Sequence, residues 1–151
     1  MLYMELTFLL GMGFQLLLAE FVRRVEAAGY PDLRPMHGYV FQAVQHGGAT
    51  GTELAAALGV TKQAAGHLVD ELVGKGYLRR EPHPAGGRRR LVVLTERGRE
   101  HLVTAGRIMR ELEREVEAQV GAQELTRLRE ALTTLIARRS GGNPPPLRPF
   151  W

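Results

Sequence analysis

The chain of 151 residues has no cysteine, one serine (Ser140) and two aspartates (Asp32 and Asp70). Disulfides, thiolate metal sites and cysteine-based redox sensing are thereby excluded. The serine lies in a Gly/Pro-rich tail and the aspartates fall in different elements, so arrangements that activate a nucleophile have little to draw on. Five histidines, at positions 37, 46, 67, 83 and 101, show neither the helical pair spacing nor the local carboxylates that hold zinc. Gly74, Lys75 and Gly76 match a phosphate loop only in part, because the first glycine and the hydroxyl residue after lysine are missing. A helix-ending glycine pair accounts for them better. These shortages predict a protein that is not an enzyme and carries no cofactor and no metal.

What the chain does contain is concentrated in residues 50–95. Thr50 and Glu53 form a capping box, which starts a helix. Leu54, Ala55 and Leu58 recur at helical spacing, and Gly59 stands where a left-handed residue ends a helix at little cost. After Val60 at the corner, Thr61 caps a second helix with the apolar stripe Ala65, Leu68, Val69 and Leu72. Lys62, Gln63, Gly66, His67 and Asp70 are left facing outward. Small residues at 55, 59 and 65 allow a close, steep crossing of the two helices, as a helix-turn-helix requires. Any helical hairpin with a glycine corner shares this pattern, so the next stretch matters. Gly76 ends the second helix, residues 77–80 read as a strand, EPHPAGG is turn chemistry, and residues 90–94 read as the return strand. Arg88, Arg89 and Arg90 fall at or just after the hairpin tip.

A helix able to enter a major groove, followed by an arginine-tipped ribbon able to reach the adjacent minor groove, is the layout of a winged helix-turn-helix. Charge agrees. Residues 60–99 hold nine Lys/Arg against four Asp/Glu, a net of +5, whereas the whole chain holds 20 against 16, leaving 11 against 12 elsewhere. An excess confined to the helix and wing is better explained by phosphate neutralisation than by a general solvated face.

The stretch TELAAALGVTKQAAGHLVDELVGKGYLRR followed by GRRRLVVLTERG resembles the MarR family of bacterial multiple-antibiotic-resistance regulators. In that family the wing commonly reads Asp-x-Arg, then a short strand, then Leu-Thr-x-x-Gly opening a long helix. This chain has Arg88, Leu94, Thr95 and Gly98, with Gly86 where the family usually has aspartate. The resemblance implies a mostly α (α+β) fold: a winged helix-turn-helix with a two-stranded wing and N- and C-terminal dimerisation helices. One domain would span residues 1–139, with 1–29 and 99–139 as dimerisation helices and 35–95 as the winged helix-turn-helix; 140–151 form a Gly/Pro-rich tail.

Residues 1–19 are nearly all apolar and approach the length of a membrane span. Glu5, Gln15 and two glycines oppose a span; the missing basic start and cleavage site oppose a signal peptide. A helix buried in a subunit interface is the preferred reading, without membrane insertion. GYPDLRP breaks this helix, and Pro35 opens another running to about His46 with Met36, Val40, Ala43 and Val44 as its core stripe. After Thr95, Leu102, Met109, Leu112, Val116 and Val120 form one seam; Leu125, Leu128, Leu132 and Leu135 form a second. Neither has a globular body nearby in sequence, which predicts pairing with a symmetry mate as an obligate homodimer. Phe150 and Trp151 are unusual on a tail, with docking on the dimer body, covering of a cleft, or disorder all open.

On this reading Thr61 caps the recognition helix and offers its first amides to a phosphate, Lys62 touches the backbone, and Gln63 and His67 reach base edges. Arg88, Arg89 and Arg90 enter or border the minor groove. Loss of Gln63 should change preference at one base position by ~1–3 kcal/mol, and loss of Arg90 should weaken binding to every sequence. The partner is double-stranded DNA with a near-palindromic operator, half-sites about one helical turn apart. The family further implies a cytoplasmic regulator, most often a repressor, released by a small apolar or aromatic effector, anionic or phenol-like. Its cleft would involve Phe14, His37 and Phe41; a partly buried histidine with a backbone partner is the competing reading of His37. The alternative function is a winged helix that binds an acidic protein partner instead of DNA.

Overall fold

The computed structural model describes residues 4–145 and residue 147. Phe150 and Trp151 lie outside the described residues, as do residues 1–3. The described chain runs α1 (Leu6–Ala27), α2 (Pro35–Val44), β1 (Ala49–Thr50), α3 (Gly51–Leu58), α4 (Lys62–Gly74), β2 (Leu78–Pro82), β3 (Arg90–Leu94), α5 (Glu96–Val120) and α6 (Ala122–Arg139). The fold is the mostly helical winged helix-turn-helix that the sequence predicts.

Local chemistry sets the element boundaries. At the start of α3 the Glu53 amide donates to Thr50 Oγ1 at 3.2 Å and the Thr50 amide to Glu53 Oε2 at 3.1 Å, closing the capping box. Gly59 adopts φ 68°, and the Val60 amide returns to the Ala55 carbonyl at 3.1 Å. Thr61 Oγ1 accepts from the Ala64 amide at 3.1 Å, so α4 begins at the expected cap. Helix α4 itself stops at Gly74, and Gly76 at φ 85° turns the chain while the Tyr77 amide bonds to the Leu72 carbonyl at 2.9 Å.

The strands differ from expectation in two ways. The outgoing wing strand covers Leu78–Pro82 rather than 77–80, because Tyr77 is a buried corner residue and Glu81 and Pro82 still pair with Leu91 and Arg90. Pro82 is tolerated because β2 is an edge strand, which need not supply an inward amide there. The sheet also has a third member, the two-residue β1, in the order β1-β3-β2. A pair of residues carries no periodicity to read; the feature that places β1 is Gly48, whose φ of 90° and close approach to the Val92 carbonyl leave no room for a Cβ.

The main core joins α2, α3, α4 and the sheet through Val40, Phe41, Leu54, Leu72, Tyr77 and Leu78. Burying each of these large side chains contributes about 1.5–3 kcal/mol. A smaller cluster of Val25, Ile108 and Leu112 fastens α1 to α5, assisted by the Arg24–Glu115 ion pair at 2.7 Å. In α5 the stripe buried within the chain is Gly98, His101, Ala105, Ile108 and Leu112, a different face from most of the seam expected to meet a symmetry mate. Of that seam Leu112 alone is fully buried within one chain, which leaves Met109 and Val120 exposed. Helix α6 has no buried residue at all.

Candidate nucleic-acid interface and adjoining cavity

Helix α4 and its cap leave Thr61, Lys62, Gln63 and His67 exposed while Ala65, Leu68, Val69 and Leu72 hold the other face in the core. Asp70, which the sequence places on the same outer face, is taken up by Arg80 of β2 at 2.7 Å. That pair fixes the wing's first strand against the recognition helix and removes a negative charge that would oppose phosphate. It could not be read from the sequence, since nothing local connects positions ten apart on different elements.

The wing narrows through the His83 amide to Arg89 carbonyl bond at 3.2 Å and turns through Gly86 and Gly87, both with positive φ. The Ala85 amide donates to His83 Nδ1 at 3.0 Å, so His83 organises the turn. Arg88, Arg89 and Arg90 are exposed. Arg90 lies back along the sheet, its guanidinium donating to the Arg80 carbonyl at 3.4 Å, while among the described residues Arg88 and Arg89 have no side-chain partner. Thus one exposed helix face and two uncommitted tip arginines belong to the same three-stranded unit.

A cavity of about 300 Å3 lies between α1, α2 and α5, apolar on most sides. Phe14, Phe21, Phe41, Leu102 and Met109 line it together with His101. Of the three residues expected in a ligand cleft, Phe14 and Phe41 therefore meet here and His37 does not. His37 is fully buried; its Nδ1 accepts from the Arg34 amide at 3.0 Å, which makes the ring's Nε2 the protonated nitrogen, and that N–H donates to Glu71 Oε2 at 2.8 Å. Burial lowers its pKa, while the bonds from His37 and Arg34 lower that of Glu71.

His101 is the residue that sequence reasoning missed. It is 5% exposed, packs against Phe41, Tyr30 and Tyr77 with ring centroids 4.7, 5.0 and 5.7 Å away, and its Nδ1 has no partner among the described residues. Burial, aided by nearby Arg97, pushes its pKa down to about 4 from 6.5. A depressed histidine pKa means that the unfolded chain binds the proton first. Stability is therefore full above pH 6.5 and falls between pH 6.5 and 4, by roughly 3 kcal/mol if His101 acts alone. Chemical denaturation at pH 7 and pH 4.5 should show this loss in the wild type and much less of it in His101→Gln; equal losses would place the acid sensitivity elsewhere.

No group of His, Asp or Glu able to hold a metal occurs among the described residues. No curated protein matches the chain. A MarR family model matches residues 32–89, the segment from the start of α2 to the wing tip. Solved structures extend the likeness in fold over most of the chain. RV1404 from Mycobacterium tuberculosis aligns with a TM-score of 0.74 at 27% identity, covering 95% of this chain and 99% of that one. A mutant MarR from E. coli aligns with a TM-score of 0.73 at 23% identity, covering 89% and 98%. A Staphylococcus aureus MepR mutant bound to an oligodeoxyribonucleotide aligns with a TM-score of 0.63 at 20% identity, covering 90% and 99%; at that identity the likeness concerns the fold. The chain thus matches the MarR family model over its helix-turn-helix and wing, and over most of its length it has the fold of solved MarR-type transcriptional regulators.

Proposed function

We propose that the protein is a cytoplasmic homodimer that binds a near-palindromic operator in double-stranded DNA and represses transcription until a small apolar or aromatic effector enters the cavity. The observation that carries the DNA reading is that α4's exposed Lys62, Gln63 and His67 and the wing arginines Arg88 and Arg89, which have no side-chain partner among the described residues, belong to one helix-turn-helix and wing. Thr61 leaves the first amides of α4 for a phosphate, Gln63 and His67 read base edges in the major groove, and the wing tip follows the neighbouring minor groove. Arg90, drawn back along the sheet, has the shortest reach of the three arginines.

Selection from a randomised duplex pool, followed by titration of the selected site across a salt series, tests this reading. Specific binding roughly a thousandfold or more above random duplex supports it. Gln63→Ala should lose ~1–3 kcal/mol of discrimination at one base position. The double variant Arg88→Ala/Arg89→Ala should weaken all sequences and reduce the magnitude of the log–log salt slope by about 2, each phosphate contact contributing ~0.9. Equal weakening of every sequence by Gln63→Ala would remove the base-reading role.

Effector release rests on the cavity, where Phe14 and Phe41 supply aromatic walls and His101 a buried ring nitrogen without a partner among the described residues. An occupant changes DNA affinity only if it favours one spacing of the recognition helices over another. Helix α1 is long and apolar enough to cross a membrane by length and composition. Covering of α1 by a second subunit predicts a dimer soluble without detergent, and a requirement for detergent would favour lipid.

A further inference from the structure

After α6 the chain reverses in a tight, hydrogen-bonded turn. Gly141 and Gly142 take φ of 62° and 83°, a left-handed pair that glycine adopts without strain. The Gly142 amide reaches back to the Ala137 carbonyl at 2.8 Å, and the Asn143 amide to the Ser140 carbonyl at 3.2 Å, which closes the end of the helix. Prolines follow at 144–146 in the sequence and favour an extended, semi-rigid course. The next described residue, Leu147, lines the cavity between α1, α2 and α5. It is 61% exposed, so it stands at the mouth and not inside; Phe14 and Met109 are exposed lining residues of the same rim. Deeper in the same cavity, His101 is almost fully buried and its Nδ1 has no partner among the described residues.

We propose that the cavity is the seat of this chain's own C-terminal segment, with Leu147 at the mouth and the aromatic pair Phe150–Trp151 packed against the aromatic walls behind it. Phe150 and Trp151 follow Leu147 in the sequence within about 14 Å of extended chain, so the interior lies in their reach. That interior, about 300 Å3 and walled by Phe14, Phe21 and Phe41, suits an aromatic side chain. Its one orphaned buried nitrogen suits the same occupant, because a neutral imidazole has one nitrogen that accepts and an indole N–H can only donate. Tethering does the rest. A segment held this closely meets the mouth at an effective concentration on the order of millimolar, so an affinity in that range keeps it seated about half the time. The seat follows from the fold and holds whether or not a small molecule uses the cavity; a molecule that does must first displace the segment.

The test uses the full chain, which has no cysteine and a single tryptophan, so that one label and one quencher can be placed without ambiguity. A bimane dye, which tryptophan quenches at short range, is attached through Gln42→Cys on the exposed part of the cavity lining or, as a control, through Thr52→Cys on the exposed face of α3. With Trp151 present, the label at 42 should be about twofold dimmer or more than in the same protein carrying Trp151→Phe, and the label at 52 should not respond. Leu147→Asp brings a carboxylate to an apolar mouth and should restore the label at 42 to the Trp151→Phe level. Leu147 lies beyond α6 and is mostly exposed, so this substitution leaves the fold intact. Labelled Trp151→Phe chains exchanged with excess unlabelled wild type should stay bright. Dimming there assigns the seat to the tail of a second subunit and overturns seating within one chain. A label at 42 that ignores Trp151, one that dims no more than the label at 52, or dimming that survives Leu147→Asp each overturns the proposal.

Discussion

Replacing Gly98 by alanine should lower the melting temperature by about 10 °C, for a cost of about 3 kcal/mol. Gly98 is buried in the first turn of α5 where the wing returns to the helical body. A Cβ there would stand 2.3 Å from the Tyr77 carbonyl oxygen and 3.0 Å from Leu94 Cδ2. A flexible side chain could yield, but the Tyr77 carbonyl is main chain and already accepts from the Thr95 amide at 3.0 Å. Thr95 Oγ1 in turn donates to the Gly76 carbonyl at 2.6 Å and accepts from the Gly98 amide at 3.1 Å. Pushing this junction apart moves Tyr77, which is 1% exposed and packs edge-on to Phe41 at 5.8 Å. Gly51→Ala is the control, because nothing lies within 4 Å of its Cβ and it sits at the first position of α3. There alanine should be neutral or stabilise by about 0.5 kcal/mol. Thermal unfolding of both variants checks the pair, and a Gly98→Ala protein that melts with the wild type would show that the junction is soft.

The contrast between these glycines also marks what the sequence makes legible. Caps could be read because they are local: Thr50 with Glu53 and Thr61 with Ala64 need only three residues to declare a helix start. The recognition stripe of α4 and the return strand Arg90–Leu94 emerged as expected from their periodicity. Features that depend on distant partners did not. Nothing around His101 marks it as a buried ring among Tyr30, Phe41 and Tyr77, because those residues come from three other segments. His37 was paired with Phe41 by helical spacing, yet burial turned it toward Arg34 and Glu71 and away from the cavity. In α5 the large apolar residues mark the seam expected to meet a second subunit, while the face packed within the chain carries Gly98, His101 and Ala105, which no apolar periodicity announces. Met109 and Val120 keep about half of their surface exposed within one chain.

That surplus sets the second large expected effect. Along α1, Phe14, Leu18, Phe21 and Val25 face the cavity, and helical geometry puts Leu9, Met12 and Leu16 on the opposite side. Leu16 is 73% exposed and Leu9 43%, so aspartate at both positions removes almost no contact within one chain. In a homodimer that buries this side, each substitution occurs twice around the two-fold axis and places carboxylates in an apolar interface. Leaving such charges unpaired costs several kcal/mol, which should raise the dimer dissociation constant at least ~100-fold. Sedimentation equilibrium of wild type and Leu9→Asp/Leu16→Asp measures it directly. Helix α6, with no buried residue and with Leu128, Leu135 and Ile136 exposed, lacks a reason to stay folded in an isolated chain, so the separated double variant should also lose helical signal. Operator binding should fall with the dimer, because a lone recognition helix reads one half-site and forfeits the second. A wild type that sediments as a monomer, or a double variant that remains dimeric, would place the α1 surplus against something other than a second copy of the chain.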